Sequence, residues 1–94
     1  MKKCLKITFG ADIPQGFLQS SIQKHARSFA LEGTAQLVQS ENQVRVIICG
    51  EKQSIDEFLD NLHKDFSKAK INDYEIEPFL KDKDYRGVFR IIEL

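Results

Sequence analysis

"TAQLVQSENQVRVIICG", residues 34–50, decides the fold. Two strand-like runs, 34–40 and 43–50, flank the pair Glu41–Asn42, a strand–turn–strand signature. In the second run Val44, Val46 and Ile48 alternate with Arg45, Ile47 and Cys49, so the first set faces the core and the second lies outside. Upstream, "KCLKITF" alternates in the same way, with Leu5, Ile7 and Phe9 on one side and Cys4, Lys6 and Thr8 on the other. Between these strands Ile22, Ala26, Phe29 and Ala30 share one helical face, with Leu18 just before them. Gly33 supplies a C′ stop, so the spacing predicts a helix from about Ser20 to Glu32. Downstream, "SIDEFLDNLHKDF" sets Ile55, Phe58, Leu59, Leu62 and Phe66 at helical spacing, and Ser54 with Glu57 fits a capping box at its start. "INDYEIEPF" and "GVFRIIEL" are two shorter strands separated by a charged turn.

The order is β-α-β-β-α-β with an extra C-terminal strand. It predicts an α+β, ferredoxin-like sandwich, an antiparallel sheet with two helices on one face. Strands one and three are then antiparallel neighbours, which puts Cys4 and Cys49 together on the helix-free face. Two reduced thiols in a reducing compartment is the plain reading; a redox pair is the alternative, without a CxxC motif behind it.

Ninety-four residues make one domain, 1–94, of ordinary globular composition: 41% hydrophobic, 30% charged, seven Phe and no Trp. Lys plus Arg and Asp plus Glu are both 14, so no excess charge draws the chain to nucleic acid or membrane. Strands one and three carry no stacked aromatics of the kind that bind RNA. "MKKCLKITF" has no apolar h-region and no apolar run reaches membrane-spanning length, so a cytoplasmic protein is expected. His25 and His63 lack the partners of a metal constellation, and no cofactor is expected. "KDKDYR" reads as a solvated loop.

A fold class carries no function by itself. The stretch that carries chemistry is "GADIPQGFLQSSIQKHAR", residues 10–27, a Gly- and Pro-bent loop running into a helix. A helix N-terminus offers unpaired N–H groups and partial positive charge to an anion. The bland reading is a structural turn, because Ser20 with Gln23 also fits a capping box.

Over nearly its whole length the chain resembles the acylphosphatase family. The motifs behind this are "PQGF", "QKHARSFALEG", the strand pair followed by "GEKQSIDEFLDNL", and the closing "GVFRIIEL". The resemblance implies metal-free hydrolysis of the carboxyl–phosphate bond of acyl phosphates. In that family the loop amides and one Arg bind the phosphoryl group, and an Asn on the second strand orients the attacking water. An Arg fork suits phosphoryl oxygens, and an Asn amide both donates to and accepts from water.

At those two places the sequence departs from the family. Aligned on "KHA" the Arg position holds Gln19; aligned on "QG" it holds Ser20. Counted from Gly33, the Asn position falls at Leu37, and a one-residue slip would bring Gln36 there while turning Leu37 outward. The implied anion cradle is Gln15, Gly16, Phe17, Leu18, Gln19 and Ser20, with no catalytic residue expected. Lys24 and Arg27 read as the solvated helix face, and His25 as a partly buried packing residue. Gln39 is a polar stand-in on Leu37's strand face, and Arg86 and Arg90 serve only if the last strand lies near the loop. The leading reading is an acylphosphatase-like protein with a degenerate active site that keeps a small-anion or phosphoryl-binding loop. Two alternatives stay open: an active acylphosphatase using a non-standard cation, and a regulatory or protein-binding ferredoxin-like module. The partner expected is a small phosphorylated or anionic ligand, with a protein partner as the other option.

Overall fold

The computed structural model describes residues 2–80 and 86–92. Five strands, β1 (Lys2–Gly10), β2 (Glu32–Val38), β3 (Gln43–Glu51), β4 (Tyr74–Pro78) and β5 (Phe89–Ile92), form one sheet in the order β4-β1-β3-β2-β5. A π-helical segment, Leu18–Gln23, runs into α1 (Lys24–Ser28), and α2 spans Lys52–Lys68. The solvated-loop reading of "KDKDYR" falls on 81–85, outside the described residues, as do the last two residues of "GVFRIIEL"; Arg86 is exposed.

The sheet is mixed, which corrects the expected antiparallel one. β1–β3, β1–β4 and β2–β3 pair antiparallel, but β2 and β5 run parallel. The cause is the β4-to-β5 connection. β4 finishes beside the start of β1, with Pro78 opposite Leu5. β5 begins at that same end of the sheet, with Phe89 opposite Gly33 near the start of β2, and so runs in the direction of β2.

The alternation read from sequence is observed. Leu5, Ile7, Phe9, Val44, Val46 and Ile48 meet Ile22, Ala26, Ile55, Phe58, Leu62 and Phe66 in one buried core between the sheet and both helices. On the helix-free face, Ile47 and Cys49 were expected outside but are only 6% and 3% exposed. They form a second small cluster with Cys4 and Phe79, because the chain leaving β4 lays Phe79 over that face.

The helix boundaries differ from those predicted, for local reasons. α1 ends at Ser28, not near Glu32, and Gly33 is no helix stop. Gly33 lies in β2 with φ +143°, where a Cβ would sit 1.8 Å from the Ile47 carbonyl oxygen, so only glycine fits against β3. The left-handed position after α1 is Ala30 (φ 54°). Leu31 N–H donates to Ala26 C=O and Ala30 N–H to Arg27 C=O, a Schellman pattern. α2 ends identically: Lys70 (φ 59°) is left-handed, Ile71 N–H donates to Phe66 C=O and Lys70 N–H to Ser67 C=O. Neither capping box forms. α2 starts two residues before Ser54, and the first helix opens after Phe17, with no side-chain cap at either start. Among the described residues no helix is long and apolar enough to cross a membrane.

Candidate functional site

The loop begins where β1 ends. Ala11 N–H donates to Asn42 C=O (3.0 Å), which ties the loop to the β2–β3 connection, where Asn42 takes a left-handed conformation (φ 51°). Phe17 N–H donates to Pro14 C=O (3.1 Å) and Ser20 N–H to Gly16 C=O (2.8 Å), with Gly16 at φ 79° allowing the bend. Phe17 anchors the turn. Its ring is buried, edge-on to Phe9 at 6.3 Å and stacked on Phe66 at 5.9 Å. The six predicted cradle residues therefore lie together but differ in role. Gln15, Gly16, Gln19 and Ser20 are exposed, Leu18 packs on the core, and the Phe17 and Ser20 amides already bond within the turn.

The helix then starts wide. Residues 18–23 form a π-helical turn, and widened turns of this kind recur at functional sites. It buries Ser21, 4% exposed, beside Ile22. Ser21 Oγ donates to Asp65 Oδ2 on α2 at 2.5 Å, and His25 Nε2 lies 2.8 Å from the same oxygen. Burial opposes the charge on Asp65. The hydrogen bonds from Ser21 and His25, with the charge of Lys68, outweigh it and hold the carboxyl below the ordinary aspartate value. The three residue types are those of a hydrolytic triad, but the order is wrong. The carboxylate sits in the middle, and Ser21 gives its hydrogen to Asp65 instead of to an imidazole. No nucleophile is activated this way. The group is a clasp between the two helices, and His25 is the partly buried packing residue expected.

Beside the clasp, Phe17, Ser20, Ser21, Asp65, Lys68 and Ala69 line a cavity of about 300 Å³. The sequence reading missed Asp65 and Lys68. The available signal was Asp65's position three residues after Leu62, at the edge of the buried stripe of α2, where a carboxylate needs partners.

Leu37 is opposite Val44 of β3, which is opposite Phe9 of β1. It is therefore on the helix-side face, at the sheet end where the loop starts, yet it is 37% exposed. Gln36 is opposite Arg45 on the other face. Gln39 is not on Leu37's strand face: β2 ends at Val38, and Gln39 opens an exposed 3₁₀ turn, Gln39–Glu41. Arg90 pairs in register with Thr34 on the helix-free face. Arg86 precedes β5 at the sheet end opposite the loop, next to Gly87, whose N–H donates to Glu32 Oε2. By its register Arg90 faces away from the helices, and Arg86 starts from the sheet end away from the loop. Lys24 and Arg27 are exposed, as expected of a solvated helix face. Among the described residues no group of three or more His, Cys, Asp and Glu could hold a metal.

The family model for acylphosphatase matches residues 15–91. No curated protein matches the chain. Among solved structures it superposes on an acylphosphatase from Coxiella burnetii with TM-score 0.75 and 23% identity, covering 97% of this chain and 93% of that one. An acylphosphatase from Bacillus subtilis gives 0.77 at 15% identity, with 99% and 100% covered. Full-length HypF in its phosphate- and nucleotide-bound form gives 0.72 at 13% identity, over 99% of this chain and 12% of that one. Identities this low support the shared fold alone.

Proposed function

Because the chain belongs to the acylphosphatase family, we propose that it keeps the family's phosphoryl-binding loop at residues 14–20 while lacking efficient acyl-phosphate hydrolysis. The observation that carries this reading is Leu37. An apolar side chain, 37% exposed, stands on the helix-side face of β2 at the loop's end of the sheet, where the family resemblance calls for a water-orienting amide. Gln19, in place of the family arginine, is exposed at the loop's exit and offers neutral hydrogen bonds without a charge. Losing one well-placed transition-state donor costs about a hundred- to a thousandfold in rate. Losing a cation and a water-orienting group together costs more, though the two losses do not simply add.

Benzoyl phosphate hydrolysis tests the reading. The wild type should turn over poorly and the Gln19→Arg, Leu37→Asn double variant should gain activity; robust wild-type turnover overturns it. Phosphate titration read by amide shifts tests the cradle, and it fails if residues 14–20 do not respond selectively.

The second reading, hydrolysis with a non-standard cation, has one observation in its favour. Lys68 shares the cavity of about 300 Å³ with Ser20 and Ser21. Should the wild type be active, Lys68→Met decides: a loss of a hundredfold or so supports that reading, and an unchanged rate removes it.

A further inference from the structure

We propose that Cys4 and Cys49 form a reversible thiol–disulfide exchange site, opened by a small monothiol of the glutathione type at Cys4 Sγ while the surrounding sheet stays folded. The two sulfurs are bonded, which corrects the reading of two separate reduced thiols. The residues are direct cross-strand partners, with Cα atoms 4.1 Å apart. Their bond joins β1 and β3, two inner strands paired with each other from Lys2–Glu51 to Gly10–Gln43. Each has another strand on its far side, β4 beside β1 and β2 beside β3. Breaking the bond frees no chain end and no sheet edge. Both thiols stay face to face in the ladder, so closure is intramolecular.

The surroundings set the direction of attack. Cys49 is 3% exposed, whereas Cys4 is only partly buried. Phe79 packs against the small cluster of Ile47 and Cys49, and its N–H donates to Cys4 C=O at 3.1 Å, so this cover is fastened to the attacked residue's own backbone. An incoming thiolate attacks Cys4 Sγ and forms a mixed disulfide there. The Sγ–Sγ bond breaks and its electron pair leaves with Cys49 as a thiolate, which takes a proton from solvent. A second thiolate attacks the small-molecule sulfur of the mixed disulfide and releases Cys4. The net change is protein disulfide plus two monothiols to protein dithiol plus one small disulfide. Cys49 lies next to the mixed disulfide, so the intermediate recloses quickly in the wild type.

The test equilibrates the whole chain in reduced and oxidised glutathione at varied ratios, then traps thiols by alkylation for mass spectrometry and records the amide spectrum. The expected result is complete conversion at a defined ratio, with native spectra at both ends. Reduction only when denaturant unfolds the chain, or loss of the native spectrum on reduction, overturns the proposal. Two variants test the direction. With oxidised glutathione, Cys49→Ser should take up one glutathione at Cys4 about tenfold or more faster than Cys4→Ser does at Cys49, because exposure governs access. Equal rates overturn the assignment of Cys4 as the attacked sulfur.

Discussion

Helix α2 buries Ile55, Phe58, Leu62 and Phe66 along one stripe over 17 residues. The first helix buries Ser21, Ile22 and Ala26, opens with a π-helical turn and has only five residues in regular α geometry. Both helices cover the same face of the same sheet, so the sheet does not explain the difference. The regular helix is held by an apolar stripe. The irregular one is held partly by a polar clasp to α2, at the turn that follows the candidate loop. Its geometry answers to the loop that feeds it as much as to the core beneath it.

The largest effect that would break this contrast is in α2. Phe58 is fully buried, so Phe58→Ala should cost about 3–5 kcal/mol in denaturant unfolding, through lost transfer energy and an unfilled cavity. The corresponding loss in the clasp should be smaller. Asp65→Ala leaves the buried Ser21 hydroxyl without its acceptor and should cost about 1–3 kcal/mol. If Asp65→Ala matches Phe58→Ala, the division between apolar and polar anchoring is wrong. A Ser21→Ala, Asp65→Ala double variant should cost less than the sum of the single losses, because no buried Ser21 hydroxyl is then left without its acceptor, and only His25 Nε2 loses its partner.

The clasp also gives a pH signature that the apolar stripe lacks. The carboxyl of Asp65 is held below its ordinary value in the folded state. Its contribution is therefore fully present above the unfolded aspartate value, about 4, and is lost as pH falls through the lower folded value. The stability gap between wild type and Asp65→Ala should shrink below about pH 4. A gap that stays constant down to pH 2 would mean the charge of Asp65 contributes nothing.

Periodicity made α2 and the strand faces legible in the sequence, because one buried face imposes a repeat that a single chain displays. The π turn was not legible: Leu18, Ile22 and Ala26 fit an ordinary helix equally well. Gly33 was assigned to the wrong element, since a glycine needed for close strand approach looks the same in sequence as one that ends a helix. The direction of β5 depends on which sheet edge and which end it starts from, and local pattern does not encode that. Within the candidate site, Gly16 and Pro14 ahead of a helix suggested the loop, but only the family resemblance, counted on from Gly33, singled out Leu37. Asp65 and Lys68 arrive from a helix more than forty residues away, and pairwise proximity of that kind leaves no trace in one sequence.

The smallest predicted effect concerns the way both helices end. Both end in the same hydrogen-bond pattern with a non-glycine residue left-handed, Ala30 after α1 and Lys70 after α2. A Cβ in that conformation costs roughly 1–2 kcal/mol, and glycine gives back part of the gain through the greater freedom of its unfolded chain. Ala30→Gly and Lys70→Gly should therefore each stabilise by about 0.5–1 kcal/mol, measured as a shift of denaturation midpoint at unchanged slope. Equal gains would mean that the helices are alike at their ends and differ only in what anchors their bodies. A gain at Lys70 with none at Ala30 would instead put the end of the first helix under the control of the buried Leu31 and the strand that follows it. In that case the irregularity of the first helix would extend from its loop to its last residue.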